Sequence, residues 1–468
     1  MKNFLLKFIP SSVLSAYHKA LAVFAAWVYR YPSEEMVVIG VTGTNGKSTT
    51  VNLIGQLLMA AGKQVGWATT VNFRVAEREW LNATKMTMLG RFQLQKLLRE
   101  MVDAGCEYAI IETSSQGIAQ WRHYGINYDV AVFMNLTPEH IESHGGFENY
   151  KAAKGELFKH LTQKSHKTIG GKIIQKQIVV NADDEFAKYF LGFGADKKHL
   201  FSLKESPLLV SPLKERGETL SARGVIVRGD GSTFSVNGKT ISLPLLGLFN
   251  VQNAIAALTA VVALGVPFEK AANALVHAQP VPGRMEFINV GQRFQILIDY
   301  APEPASMQTL LAFLEEAVVR YHPHDVQGGG YPRDTRVIHV LGSAGGGRDV
   351  SRRPVLGKLA GEFADVVIVT NEDPYDEDPQ KIIDQVAQGA KDAGKNEDRG
   401  EMFRILDRRE AIRKALELGE AAGSDGLVLI TGKGAEQAMC IKGGRKLLWD
   451  DRAIVRELLK EMGLCKVV

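Results

Sequence analysis

Short apolar, β-branched runs recur along the chain and alternate with stretches of helical character. Met36 to Val41 (MVVIGV) is such a run, and it predicts a buried strand. Ser48 to Ala61 follows as a helix. Further strands are expected at Tyr108 to Ile111, Val130 to Met134 and Gln177 to Val180. A strand that is apolar throughout must be covered on both faces, so this alternation predicts a mostly parallel sheet between helices. From Leu203 to Pro244 the texture changes to short pieces broken by Gly and Ser. With the hairpin signal Asp230-Gly231, it predicts a small antiparallel excursion. Asn250 to Leu264 is Ala-rich with few breakers and predicts a helix. A second α/β unit starts near Arg284. Its strands are expected at Phe294 to Ile298, Arg336 to Leu341, Val366 to Thr370 and Gly426 to Ile430, with helices at Ile382 to Asp392 and Arg409 to Leu418. The Pro and Gly clusters of Tyr321 to Arg336 predict a flexible surface loop.

The fold class is therefore α/β, in three parts. Residues 1–35 form a hydrophobic N-terminal helical segment. Residues 36–283 form a central phosphate-loop domain with a mostly parallel sheet, and residues 284–468 a C-terminal Rossmann-like domain. In the first part the apolar run Ala20 to Tyr29 is too short to span a bilayer. It reads as a helix packed on the protein. Lys2, Lys7, Lys19 and Arg30 leave peripheral membrane contact as a second reading, and an uncleaved signal anchor is the third. No small-residue cleavage site follows, and export would part a phosphate loop from ATP, so a cytoplasmic location is expected.

Composition narrows this picture only slightly. Over 468 residues, 45% are hydrophobic and 23% charged, the balance of a soluble protein. A net charge of +4, with no basic run among aromatics, argues against nucleic acid. Cys106, Cys440 and Cys465 have no paired spacing, so neither a disulfide scaffold nor a zinc site is expected. A monomer is expected.

The strongest chemical signal is Gly40-Val-Thr-Gly43-Thr44-Asn45-Gly46-Lys47-Ser48-Thr49, between strand and helix. Glycines let backbone N–H groups turn toward phosphate oxygens, and the helix N-terminus adds positive charge. Lys47 would reach the terminal phosphates of a nucleotide, and the Ser48 hydroxyl would join the shell of Mg²⁺. The usual pattern wants glycine at the position of Val41, so the loop is a variant one.

This variant resembles the phosphate loop of the Mur ligases and of folylpolyglutamate synthetase. Glu112-Thr-Ser114-Ser115-Gln-Gly117-Ile, Asn135-Leu-Thr-Pro-Glu139-His140-Ile-Glu-Ser-His144-Gly145 and Tyr150-Lys-Ala-Ala-Lys154 favour the Mur ligases. They are most similar to the third-step ligases, the UDP-N-acetylmuramoyl-tripeptide synthetases. Leu248-Phe-Asn250-Val-Gln-Asn253, Pro282-Gly-Arg284-Met-Glu286, Asp299-Tyr-Ala and Gly432-Lys-Gly434-Ala-Glu436 continue the series over residues 36 to 468. The resemblance implies an ATP- and Mg²⁺-dependent ligase of cell-wall precursor synthesis. Such an enzyme turns a substrate carboxylate into an acyl phosphate and joins it to an amino-acid amine, here as the third residue on UDP-N-acetylmuramoyl-dipeptide.

It also implies roles. Lys47, Glu112, His140, Lys154 and Arg284 carry the chemistry. Gly43 to Thr49, Asn250, Asn253, Arg284 and Asp299 meet the nucleotide. Ser48, Glu112, His140 and a carbamylated Lys154 hold metal. Thr87, Ser114, Gln120 and Arg122, with Met86, meet the acceptor, and Arg348, Asp373, Gly432 and Glu436 the amino acid. From the residues alone, Arg284 also fits a surface arginine, Asp299 a helix cap, Asn250 and Asn253 solvent-facing or capping amides, and His144 a structural role.

Three features depart from the family. The stretch before Met36 is far shorter than the domain that holds the UDP-sugar. Glu372-Asp373-Pro374-Tyr375 stands where diaminopimelate-adding enzymes carry Asp-Asn-Pro-Arg. Pro302 and Ala435 replace two histidines, and Leu89-Gly90 a Thr-Pro turn. These keep open a Mur-like ligase with a different, lipid-linked acceptor, and a non-catalytic nucleotide-binding scaffold.

Overall fold

The computed structural model describes residues 11–137, 144–204, 206, 208, 213, 215–228, 231–315 and 335–465. The chain divides into two compact units, residues 1–226 with 230–279, and residues 227–229 with 280–468.

The first unit is built on a nine-stranded sheet. Its strands are β1 (Val37–Thr42), β2 (Val65–Ala68), β3 (Asn72–Val75), β4 (Arg78–Leu81), β5 (Tyr108–Glu112), β6 (Val130–Phe133), β7 (Gln177–Asn181), β8 (Lys197–Ser202) and β9 (Arg216–Ser221). Their order is β9-β8-β7-β6-β1-β5-β2-β3-β4. The strands from β9 to β2 are parallel, and β3 and β4 add an antiparallel edge. Every residue of β1 is buried. Ile39 and Val41 enter one core with Val51, Ile54 and Leu58 of helix α2 (Lys47–Ala60). Val38 enters the other, with Phe133, Leu157 and Phe158. Removing a ring such as Phe158 from so filled a layer would cost about 3–5 kcal/mol.

The predicted antiparallel excursion is narrower than its sequence suggests. Arg216–Ser221 pairs in parallel with β8, and only Arg223–Arg228, Gly231–Val236 and Lys239–Leu243 form a separate three-stranded sheet. Within β9 only Leu220 is fully buried, so its pattern carries no signal of which sheet it joins. Asp230 lies outside the described residues, as do residues 1–10 and 316–334, with most of the expected 321–336 loop. The N-terminal helix α1 (Ser11–Val28) packs on α3 (Arg91–Asp103) and buries Ala22, Ala25 and Ala26. Among the described residues, no helix is long and apolar enough to cross a membrane.

The second unit holds a six-stranded sheet of β10 (Glu286–Phe287), β11 (Gln295–Ile298), β12 (Arg336–Leu341), β13 (Val366–Thr370), β14 (Met402–Ile405) and β15 (Gly426–Ile430). The order is β10-β11-β15-β12-β13-β14, all parallel except β10. Two helices on it, Arg352–Phe363 and Pro379–Asp392, cross at glycines. A Cβ on Gly357 would stand 1.8 Å from the Val386 carbonyl oxygen, and one on Gly389 1.9 Å from that of Pro354.

Candidate active site

In an open parallel sheet, ligands bind outside the carboxyl ends of the strands, where the strand order reverses. In the first unit that point is β1, with β5 on one side and β6 on the other. The phosphate loop leaves β1, Glu112 ends β5, and Asn135 follows β6.

Asn135 shapes the loop. Its side-chain oxygen accepts the N–H groups of Thr44 (3.0 Å) and Asn45 (2.8 Å). Gly46 caps α2 at φ 82°, and a Cβ there would stand 2.2 Å from Asn253 Oδ1. Asn253 and Asn250 lie on helix α4 (Leu248–Ala263), which packs against α2. Asn253 donates to Asn250 Oδ1 (3.2 Å), and its own oxygen accepts from Thr50 (3.4 Å). The two amides are therefore largely buried beside the loop, not solvent-facing. Lys47 donates from Nζ to the Thr44 carbonyl (2.6 Å). Ser48 and Thr49 stand in the first turn, whose N–H groups have no carbonyl partner inside the helix.

Glu112 is 2% exposed and gathers the rest. It accepts the Ser48 hydroxyl (2.7 Å), the Thr70 N–H (2.8 Å) and the Thr70 hydroxyl (3.0 Å). Thr87 Oγ1 lies 2.9 Å from Thr70 Oγ1. A hydroxyl and a carboxylate side by side are hard oxygen donors and suit Mg²⁺. His140, the next expected ligand, lies outside the described residues. Among the described residues, no three His, Cys, Asp or Glu side chains form a metal group.

Lys154 is buried. Its Nζ donates to the Gly43 carbonyl (2.7 Å) and lies 4.5 Å from the centre of the Tyr150 ring. The Tyr150 hydroxyl is 3.2 Å from Thr44 Oγ1. His144 Nε2 stands 3.1 Å from Ser115 Oγ, and burial, then Lys154, lowers its pKa. Of the expected acceptor set, Ser114 caps its short helix through the Gly117 N–H (3.2 Å). Arg122 donates to Gln120 Oε1 (3.0 and 2.6 Å), to Met86 Sδ (3.7 Å) and to the Met88 carbonyl.

In the second unit the reversal lies at β12, between β15 and β13. Asp373 accepts from Lys433 Nζ (3.0 Å) and the Cys440 N–H (2.7 Å), and Lys433 also donates to Glu436 (2.9 Å). Gly432 has φ 102°, and a Cβ on it would meet Glu372 Oε2 at 2.3 Å. Burial lifts the Glu372 carboxyl to about 7. Burial opposes the charge of Arg348, yet the surrounding Tyr300, Tyr375, Glu303 and Glu372 raise its pKa. These contacts bring together Arg348, Asp373, Gly432 and Glu436. Arg284 lies 4.2 Å over the Tyr300 ring. Asp299 accepts the Met285 N–H (2.8 Å), and burial raises its pKa while Arg284 opposes the rise. That bond is not a helix cap: the helix that follows, Pro304–Leu314, is capped by Glu303.

Several residues of this geometry were missing from the candidates. Asn135 and Tyr150 stood inside the quoted motifs and could have been found there. Thr70 carries no local signal, because its partner Glu112 is distant in sequence; Lys433 stood inside the quoted Gly432 to Glu436 motif, with its burial set by the fold.

The profile of the Mur ligase middle domain matches residues 41–261, and that of the Mur ligase glutamate ligase domain residues 283–434. A UDP-N-acetylmuramyl-tripeptide synthetase of Roseiflexus sp. is 38% identical, over 95% of this chain and 82% of its own. A UDP-N-acetylmuramoyl-L-alanyl-D-glutamate–2,6-diaminopimelate ligase of Geobacillus kaustophilus is 34% identical, over 97% of this chain and 85% of its own. A solved structure of a diaminopimelate ligase of that name superposes with a TM-score of 0.57 at 28% identity, over 94% of this chain and 82% of its own. The chain belongs to the Mur ligase family, ATP-dependent enzymes that form amide bonds.

Proposed function

We propose that this ligase adds the third residue to UDP-N-acetylmuramoyl-dipeptide in the cytoplasm, as a monomer using ATP and Mg²⁺. The relatives named above support the acceptor. The observation that carries the reading is the chain Ser48–Glu112–Thr70–Thr87, which runs from the head of the phosphate loop to a residue of the acceptor set. Residues 36–283 serve ATP, and residues 284–468 the amino acid. A carboxylate oxygen attacks the γ-phosphorus, the bridging P–O bond breaks, and ADP leaves. The amine nitrogen then attacks the acyl carbon, phosphate departs with the C–O electron pair, and the nitrogen loses a proton. Lys47 and Arg284 offset the charge of two anions meeting. Ser48, Glu112, His140 and a carbamylated Lys154 would hold Mg²⁺, which supplies Lewis acidity when bound. Asn250, Asn253 and Asp299 keep the nucleotide roles, and Ser114, Gln120 and Arg122 those toward the acceptor.

The amino acid we propose is one without a distal carboxylate, lysine being the first to try. Tyr375 replaces the expected arginine, and its ring crowds Gly346, where a Cβ would come within 2.6 Å. Nearby cations are engaged: Lys433 with Asp373 and Glu436, and Arg352 with Glu303. Arg348 remains to meet an α-carboxylate. The test is ADP release with product mass, using ATP, UDP-N-acetylmuramoyl-dipeptide and a panel of amino acids, with Lys47→Ala as control. Turnover with another acceptor and none with this one would reject the proposal.

A further inference from the structure

The ligase chemistry leaves a large apolar surface unused. Helix α1 buries small side chains and turns large ones outward. Trp27 is 60% exposed, Tyr17 57% and Phe24 50%, with Val13, Val28 and Tyr31 beside them. Within Ser11–Val28 they recur at spacings of three, four and seven residues, which places them in one stripe along the helix, and Tyr31 follows beyond its end. Phe92 on α3 widens it: its ring lies 6.0 Å from that of Phe24, which stacks on Trp27 at 5.6 Å. Contiguous apolar patches of this kind are uncommon on soluble surfaces and mark interaction sites.

The stripe belongs to a fastened element. Its buried side comes so close that a Cβ on Gly125 would stand 2.5 Å from the Ala22 carbonyl oxygen. Arg99 donates to the carbonyls of Tyr29 and Arg30, at 3.0 Å each.

Charge identifies the occupant. From Ser11 to Ser33 the sequence carries Lys19 and Arg30 and no carboxylate; Lys19 is turned onto the Trp121 ring at 3.8 Å, and Arg30 is exposed. On α3, Lys96 is exposed one turn from Phe92, whereas Arg91 donates to the Gln120 carbonyl. The first acids after the helix are engaged, Glu34 with Asn127 and Glu35 with Arg99. Exposed aromatic rings bordered by cations match a bilayer surface, rings at the headgroup–acyl boundary and cations at lipid phosphates. A two-fold contact with a second copy would gather the cations of both copies with no carboxylate of Ser11 to Ser33 to pair them. The helix does not meet the length and apolarity needed to cross, so it would lie in the membrane plane.

We propose that the α1 stripe seats this ligase on an anionic bilayer surface, with Phe24 and Trp27 inserted. The experiment mixes the full chain with vesicles of phosphatidylglycerol and phosphatidylethanolamine, or of phosphatidylcholine alone. Expected is co-sedimentation with the anionic vesicles, weakened by salt and by Arg30→Glu with Lys96→Glu. Phe24→Ser with Trp27→Ser lowers it by about tenfold or more, while melting temperature and ADP release stay unchanged. Brominated acyl chains quench tryptophan fluorescence, and Trp27→Phe removes that quenching while keeping most of the binding. This last readout decides the matter if the double serine variant does not fold. Absence of vesicle binding, binding without Trp27-dependent quenching, or a soluble dimer that the double variant dissociates would each overturn the proposal.

Discussion

Gly46→Ala tests whether the phosphate loop takes its shape from the helix packed beside it. Alanine at φ 82° costs about 1–2 kcal/mol in the left-handed region. The new Cβ would also stand 2.2 Å from Asn253 Oδ1, well inside contact distance. Asn253 cannot simply swing away, because Asn250 and Thr50 hold its amide. Forcing it off its rotamer adds about 0.5–1.5 kcal/mol, and a lost hydrogen bond about 1 kcal/mol. The sum is roughly 2.5–4.5 kcal/mol, a fall in Tm of roughly 4–8 °C for a unit of this size. Thermal unfolding measures it, and calorimetric titration with ATP should show weakened binding. Asn253→Ala removes the offending oxygen and leaves the backbone cost. The double variant should therefore recover about 1.5–2.5 kcal/mol relative to the summed single effects. A Gly46→Ala protein as stable as wild type, or strict additivity in the cycle, would refute the reasoning.

Other outcomes follow from the same contacts. Glu112→Gln keeps an acceptor oxygen and loses the charge, so the Mg²⁺ concentration for half-maximal ADP release should rise about tenfold or more; an unchanged Mg²⁺ titration would remove Glu112 from the metal site. Burial holds His160 and His199 down to about 4, below the ordinary histidine value. The unfolded chain then binds protons first on acidification, and stability present above about pH 6.5 is lost toward pH 4, at up to about 1.4 kcal/mol per pH unit for each histidine. Urea unfolding at pH 7 and pH 5 measures this, and His199→Gln should flatten the slope. Tyr375→Arg should shift the ratio of kcat/KM values toward diaminopimelate relative to lysine; a ratio that stays put would detach Tyr375 from amino-acid choice.

What the sequence by itself determined is what periodicity and local steric need can encode. Val37–Thr42, Arg336–Leu341, Val366–Thr370 and Gly426–Ile430 form strands where their apolar runs predicted them, because strands covered on both faces leave no polar positions. Gly46, Lys47 and Ser48 are legible as a phosphate loop for a similar reason: a tight turn into a helix constrains its own residues. The tertiary structure decided which distant groups meet. Asn135 reaches Asn45 across 90 residues and Asn253 crowds Gly46, contacts that join motifs lying far apart in the sequence. Lys433 stands inside a quoted motif, but its burial against Asp373 and Glu436 is set by the ends of the sheet. Leu220 alone could not reveal that β9 extends the parallel sheet. Side-chain periodicity is set within a few residues, whereas hydrogen-bond partners and burial depend on how strands are ordered, which no short window of sequence contains.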